Sequence, residues 1–463
     1  MSFKKKLLST AMAVAMTSGF AISQNASAVE LAENGIGQLL LAPYYTTLNG
    51  YQTNFAIYNT REDAAVKVKI VVRSYGHSQE ARDFLCYLTP GDVCRFELIS
   101  QKEETTLADG SKKMVDVAYL TSTDDSVRNN LGGWAYDPDV AAKGQAQTPL
   151  KIILDDSKML AVDKFDINEV GHVEAIGVYS VKTGTYKVNG EDVKVTRGMK
   201  KGDLAKIFDI YTGITADQSV WDAIASGTIS SPVMGASSNA NISSLGALLD
   251  ISGSVTVEKK ENGQIVDRMG YRIPALTGGV VTNPRFDIGV GPETPIGKNF
   301  AANGDTTIAI EQALATTKLS AIYESKSTAV IVTFPTKYLH RGIGVCNGIN
   351  PANGIDYTPP FDREGKVPYS LVVFDNHENR KAETIFFSPS ANPYFAAEVN
   401  YFMPNWFADS GYFTLSLNPS AKCVNAISAT LYEGAPTLAF THKFALDGTN
   451  NPIRSILEPT AHQ

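Results

Sequence analysis

A period of two residues runs through most of this chain and limits what it can fold into. In Val66-Lys67-Val68-Lys69-Ile70-Val71-Val72-Arg73, the residues Val66, Val68, Ile70 and Val72 fall on one side of an extended strand. Lys67, Lys69 and Arg73 fall on the other. Successive side chains of a strand point to opposite faces, so this segment reads as a strand with one face in a core and one in water. Residues 51–57, 115–119 and 173–179 behave similarly, and further strands are expected at 329–334, 369–374, 412–417 and 437–441. Asn189-Gly190 and Asn262-Gly263 each separate two such segments. Both residue types accept the positive φ of a tight hairpin. Short strands divided by polar turns predict a mainly β protein on a β-sandwich framework.

The centre interrupts this pattern. Leu204, Ile207, Phe208 and Tyr211 follow Asp203, a candidate N-cap, at helical spacing, and Gly213 is the stop. A second helix is expected from Thr215, with Gln218 completing a capping box, Trp221 and Ile224 on its apolar face, and Gly227 at its end. Residues 201–250 therefore read as a small helical insertion. It divides an N-terminal sandwich part, 29–200, from a β-rich C-terminal part, 251–463. A further helix is expected from Thr306 to about Thr316, capped by Asp305.

The first 28 residues follow a different logic. Lys4-Lys5-Lys6 precedes an apolar stretch over residues 7–22, and Ala26-Ser27-Ala28 supplies a small-x-small site. That order is the pattern of a secretory signal peptide. Ser, Thr and Gly interrupt the apolar run, and a membrane span needs about 20 apolar residues. We therefore expect an exported protein with no membrane span, placed at the cell surface, in the medium or in the periplasm. The signal carries three lysines and no acid, so its removal takes the net charge from −7 to −10. A chain this acidic has little attraction for nucleic acid or anionic lipid.

Cys86, Cys94, Cys346 and Cys423 are the only cysteines. An even count in an exported chain predicts disulfides. Cys86 and Cys94 flank a Pro90-Gly91 turn. If the two flanking strands form a hairpin, the cysteines lie opposite each other, which leaves Cys346 to pair with Cys423. A four-cysteine metal site would show paired C-x2-C spacing, and none is present.

Residues 84–93 (FLCYLTPGDV), 332–337 (VTFPTK), 434–440 (GAPTLAF) and the opening 39–45 (LLLAPYY) resemble segments of secreted, β-rich, S-layer-like surface proteins of Gram-negative bacteria. The resemblance implies export and a β fold. It implies no activity and carries no catalytic residue.

Motifs for chemistry are absent. No G-x-S-x-G, H-E-x-x-H or G-K-[ST] occurs, and residues 342–348 miss the dinucleotide fingerprint by one position. His77, His172, His340, His377, His442 and His462 are never three or four residues apart, and each reads as a solvent-facing or strand-end histidine. Calcium, a hard cation that takes oxygen ligands, is the one cofactor the acidic clusters suggest. Those clusters are Asp124-Asp125, Asp137-Pro138-Asp139, Asp155-Asp156 and residues 447–451, and Asp and Asn also simply make turns. Residues 392–413 are rich in aromatics. Tyr394, Phe395, Tyr401, Trp406 and Phe407 are candidates for a binding or interface surface, because aromatic rings stack on sugars and anchor protein contacts. Core packing beneath Pro393 and Pro404 is the plainer reading.

These features describe an exported structural protein that assembles with copies of itself, as a surface layer or filament subunit, and not an enzyme. A glycan-binding or ligand-binding sandwich is the alternative, and a hydrolase with dispersed carboxylates comes third. The strand-like residues 37–45 lie close to the new N-terminus and could be donated to a neighbour, although pairing within their own domain is the plainer reading. Mass spectrometry of exported material should find an N-terminus at Val29 or within two or three residues of it. Intact Met1 on material recovered outside the cytoplasm would refute the signal reading.

Overall fold

Four sheets, almost wholly antiparallel, carry most of the strands in the computed structural model. It describes residues 29–76, 80–106, 109–128, 150–153, 168–188, 190–212, 229–230, 249–277, 306–324, 327–341, 356–377, 379–383, 393–419, 421–424, 431–443, 454–456 and 461–462. Sheet I runs Glu30–Leu31, Ala275–Thr277, Leu39–Thr46, Val170–Lys182, Ala64–Ser74, Glu80–Leu88. Sheet II runs Arg454–Ile456, Gln264–Arg272, Ile251–Glu261, Tyr51–Asn59, Val93–Thr106, Lys112–Ser122, Leu150–Ile153. Their inner faces make the first core. Phe55 stacks on Phe96 at 4.7 Å within sheet II, and Phe84 of sheet I meets Phe96 edge-on at 5.0 Å. Val66, Val68 and Ile70 lie in this core, as the alternation requires.

The second sandwich is built from later residues. Sheet III runs Arg380–Glu383, Val367–Asp375, Gly411–Leu417, Lys318–Tyr323, Ala461–His462. Sheet IV has Thr328–Thr333 between Val399–Phe402 and Leu438–Lys443. Val330 and Val332 join the second core with Leu371, Phe413 and Leu415, whereas Ile331, Val399 and Phe440 join the first. Sheet IV is therefore apolar on both faces, and its central strand is buried along its whole length. Strands 251–277 pair with Tyr51–Asn59 and Leu39–Thr46, so the first sandwich continues past the helical segment into the part assigned to the C-terminal half.

Local rules hold where turn chemistry is strong. Asn262 and Gly263 both have positive φ and close a two-residue hairpin between Glu261 and Gln264. The helix Lys201–Thr212 begins two residues before the expected cap, which puts Asp203 in its first turn. Its Leu204, Ile207 and Phe208 are buried, and Phe208 stacks against Tyr87 of sheet I at 6.0 Å. A helix spans Thr306–Leu314. Asp305 and the helix expected over 215–227 lie outside the described residues.

One expectation needs correction. The lysine face of Ala64–Ser74 is not wet: Lys67, Lys69 and Arg73 are all buried. Alternation shows that a strand is two-sided, but cannot show that a further layer covers its polar side. Here helix 201–212 and residues from the second half provide that layer. Of the two readings of the opening strand, the segment 39–46 follows the plainer one and pairs within its own domain. It is fully buried and paired on both sides within sheet I.

Cys86 and Cys94 are disulfide-bonded, with Cα atoms 6.1 Å apart. The hairpin expected between them does not form. Glu80–Leu88 pairs with Ala64–Ser74 in sheet I, and Val93–Thr106 pairs with Tyr51–Asn59 in sheet II. The bond therefore joins the two sheets at a corner of the sandwich. Gly91 turns that corner at φ 65°, a conformation open to glycine at little cost, while Asp92 accepts a hydrogen bond from the Thr89 backbone N–H at 3.2 Å. Cys423 is also disulfide-bonded, and its expected partner Cys346 lies outside the described residues. Replacing both Cys86 and Cys94 by Ala should lower stability by about 2–3 kcal/mol on the loop-entropy model, read as a shift of the denaturant midpoint. An unchanged midpoint would show that the corner is fixed by its turn alone.

Candidate functional site

The aromatic segment divides between core and surface. Phe395 and Trp406 are buried in the second core and Phe407, half-buried, packs against it. Trp406 stacks on Tyr323 at 4.2 Å and donates its indole N–H to the Thr328 carbonyl at 2.6 Å. The exposed members are in three different places. Tyr394 lies over the Lys366 ammonium at 4.5 Å, Tyr401 stacks near Tyr44 at 5.9 Å, and Tyr412 stands on the outer face of sheet III. No single aromatic platform forms from them.

That outer face is the most apolar exposed feature described. Ile322 is opposite Tyr412, and Tyr412 is opposite Phe374, so the three make a row across three strands. Ile322 is 64% exposed and Tyr412 41%. Phe374 and Tyr412 stack at 4.3 Å with an interplanar angle of 5°. The next row places Ser320 beside Thr414, with hydroxyl oxygens 3.3 Å apart, and Val372 beyond them.

Polar groups gather instead where the two sandwiches meet. Arg73 Nε lies 3.1 Å from Glu174 Oε1, with both side chains buried, and its guanidinium sits 4.1 Å from the Tyr338 ring centre. Tyr338 donates its hydroxyl to Glu174 at 3.3 Å. Burial raises the Glu174 carboxyl above its ordinary value, with Arg73 opposing the rise. Burial also lifts the Tyr338 phenol, helped by Glu174. His172, next along the same strand face, is held well below its ordinary value by burial and then by Arg73.

A second network joins Glu311 of the helix 306–314 to His340 Nε2 at 2.8 Å and to the Tyr432 hydroxyl at 2.7 Å. Thr358 Oγ1 lies 3.4 Å from the other ring nitrogen of His340. The order carboxylate, imidazole, hydroxyl has the chemistry of an acid–base relay. Glu311, His340 and Thr358 are all fully buried, so no substrate reaches the hydroxyl in this state, and the network acts as a brace.

The third cluster is at the rim of the junction. Tyr51 donates to Asp267 Oδ2 at 2.6 Å, Tyr271 donates to the Tyr44 carbonyl at 2.6 Å, and His442 Nε2 lies 3.9 Å from Asp267 Oδ2. His172, His340 and His442 are thus buried and not solvent-facing, although His442 stands next to the end of its strand, and His377 is exposed. His77 lies outside the described residues. Of the acidic clusters, Asp124 is held by Lys201 at 2.7 Å and accepts the Ser126 backbone N–H, which is the work of a turn. Asp137, Asp139, Asp155, Asp156 and residues 447–451 lie outside the described residues. Among the described residues, no three His, Cys, Asp or Glu side chains converge as metal ligands, and no helix is long and apolar enough to cross a membrane. Comparison with protein-family models, with curated proteins and with solved structures finds no match.

Buried His172 gives a pH dependence with a definite sign. Its folded pKa lies below the unfolded value near 6.5, so its contribution is complete above that pH and is lost as pH falls through the depressed pKa. Glu174, with its folded pKa raised above 4.5, runs the other way: its contribution is present at low pH and lost as pH rises. Below pH 6.5, wild-type stability should fall by up to about 1.4 kcal/mol per pH unit from His172 alone. Denaturant titrations of His172→Gln should show a flatter acid limb; an identical limb would mean that His172 is not buried in neutral form.

Proposed function

We propose that the chain is exported and that mature copies associate through the outer face of sheet III, making it a structural subunit at or beyond the cell surface. The observation that carries this reading is the exposed row Ile322, Tyr412, Phe374. Apart from Lys318 at one end, the described side chains of that face are apolar or hydroxylic: Ser320, Ser370, Val372, Thr414 and Ser416 join the row. In a mature chain of net charge −10, a face whose described side chains carry no acid is where two copies meet with least repulsion. Flat sheet faces pack on one another readily, and each large apolar side chain removed from water contributes about 1.5–3 kcal/mol. The face fits a glycan less well. Tyr412 and Phe374 each cover one face of the other, so part of the ring surface that would stack on a sugar is already occupied.

Sedimentation velocity and electron microscopy of the mature protein test the reading. Wild type should form dimers or larger ordered species in a concentration-dependent way, and Ile322→Glu with Tyr412→Ser should be monomeric with an unchanged circular dichroism spectrum. A wild-type protein that stays monomeric at high concentration overturns the proposal. Retention of that monomer on a glycan array, lost in the double variant, would assign the same face to glycan binding.

A further inference from the structure

We propose that the rim of the sandwich junction is a binding site for a hard trivalent cation of the ferric type, with Asp267, Tyr51, Tyr401 and His442 as ligands and Tyr44 beside them. This rests on observations separate from the apolar face of sheet III. The donors come from three sheets: Tyr44 from sheet I, Tyr51 and Asp267 from sheet II, Tyr401 and His442 from sheet IV. They converge only when the two sandwiches meet.

Asp267 is the centre of the argument. It is 8% exposed, its Oδ2 takes the Tyr51 hydroxyl, and its Oδ1 has no hydrogen-bond partner among the described residues. Lys259 stands opposite it in the strand register, but the Lys259 ammonium is 2.8 Å from Glu261. His442 at 3.9 Å is too far for a hydrogen bond. A carboxylate buried without a cation is costly, so such a group points to a bound ion or water. The tyrosines decide the kind of ion. Tyr51 holds Asp267 through its hydroxyl, and the Tyr401 ring stacks on Tyr44 at 5.9 Å and stands edge-on to the His442 ring at 6.4 Å. Phenolate and carboxylate are hard anionic oxygen donors, and iron accepts both phenolate and imidazole. Metal bonds of about 2 Å place adjacent donors roughly 3 Å apart and opposed donors roughly 4 Å apart. The separations of 2.6 and 3.9 Å from Asp267 Oδ2 are close to those spacings. Tyr401 is 38% exposed and offers the route in. Each phenol that coordinates gives its proton to solvent, and no electron moves.

The test uses the mature full-length protein and ferric citrate. A visible phenolate-to-iron charge-transfer band should appear and saturate at one iron per chain. Tyr51→Phe and Tyr401→Phe each remove a single oxygen; each should shift or weaken the band and lower affinity at least about tenfold, as a lost ligand does. Tyr394→Phe, whose ring lies over Lys366 and away from the rim, should leave the band and the affinity unchanged. Asp267→Asn should abolish binding, and if it fails to fold the two tyrosine variants decide. Absence of the band overturns the proposal. So does a band that Tyr51→Phe and Tyr401→Phe leave unchanged, since the iron then sits elsewhere.

Discussion

Sheet I is buried on both faces, and the rest of the molecule is arranged around that fact. One face meets sheet II across an ordinary apolar core. The other carries Lys67, Lys69, Arg73, His172 and Glu174, which must be taken out of water if the second half is to pack there. Desolvating such groups costs several kcal/mol each unless they are paired with good geometry. The Arg73–Glu174 contact at 3.1 Å and the Lys69–Asp83 contact at 3.1 Å supply that pairing within the sheet. The second half completes it. Tyr338 offers its ring to Arg73 and its hydroxyl to Glu174, and the Glu398 backbone N–H binds the Tyr75 carbonyl at 3.1 Å. Removing one member of a buried pair leaves the other uncompensated, so these residues fix how the halves join more than they add to stability.

The Cys86–Cys94 corner makes the same point from the covalent side. A hairpin and a sandwich corner need the same short loop, the same Pro-Gly turn and the same cysteine spacing. They differ in where each flanking strand finds its partner. Val68 is opposite Cys86 in sheet I, and Ile57 is opposite Cys94 in sheet II. Each strand therefore has a stronger offer from its own sheet than from its neighbour in sequence. The disulfide then ties two layers that would otherwise be held at this corner by packing and by the hydrogen bonds of Asp92.

How much was legible follows from what alternation can report. It identified the strands at 51–57, 66–73, 329–334 and 412–417, and Asn262-Gly263 fixed a hairpin register, because these depend on a residue and its near neighbours. It misjudged Lys67, Lys69 and Arg73, because whether a polar face meets water or a second layer depends on residues near 200 and 338. It placed a boundary near 251 that the strands at 251–277 cross, since an insertion in sequence need not be one in pairing. Phe395 and Trp406 were indistinguishable from exposed aromatics until the sheets that cover them were known. Among the sites, no spacing rule could bring together Tyr51, Asp267, Tyr401 and His442, which span nearly 400 positions. The only signal open to sequence was that Asp267 occupies an inward position of a strand, beside Met269 and Tyr271.

Burial and exposure decide which of the junction clusters can act on anything. The Glu311–His340–Thr358 network has the elements of a relay, yet every member is sealed, and Thr358 also lies within hydrogen-bond distance of the His340 carbonyl at 3.3 Å. A hydroxyl so placed holds the loop that carries it. The Arg73–Glu174 cluster is equally closed: Glu174 Oε2 has no hydrogen-bond partner among the described residues, but Glu174 and His172 are fully buried. Only the rim cluster combines an incompletely partnered carboxylate with a half-open wall, since Tyr401 reaches solvent while Asp267 does not. A group that is costly to bury and only partly matched within the protein can gain from a ligand what it lacks from the fold. Groups sealed on every side offer a ligand no route to them. That difference in access, rather than any resemblance of the residues to a motif, separates a site from a brace in this molecule.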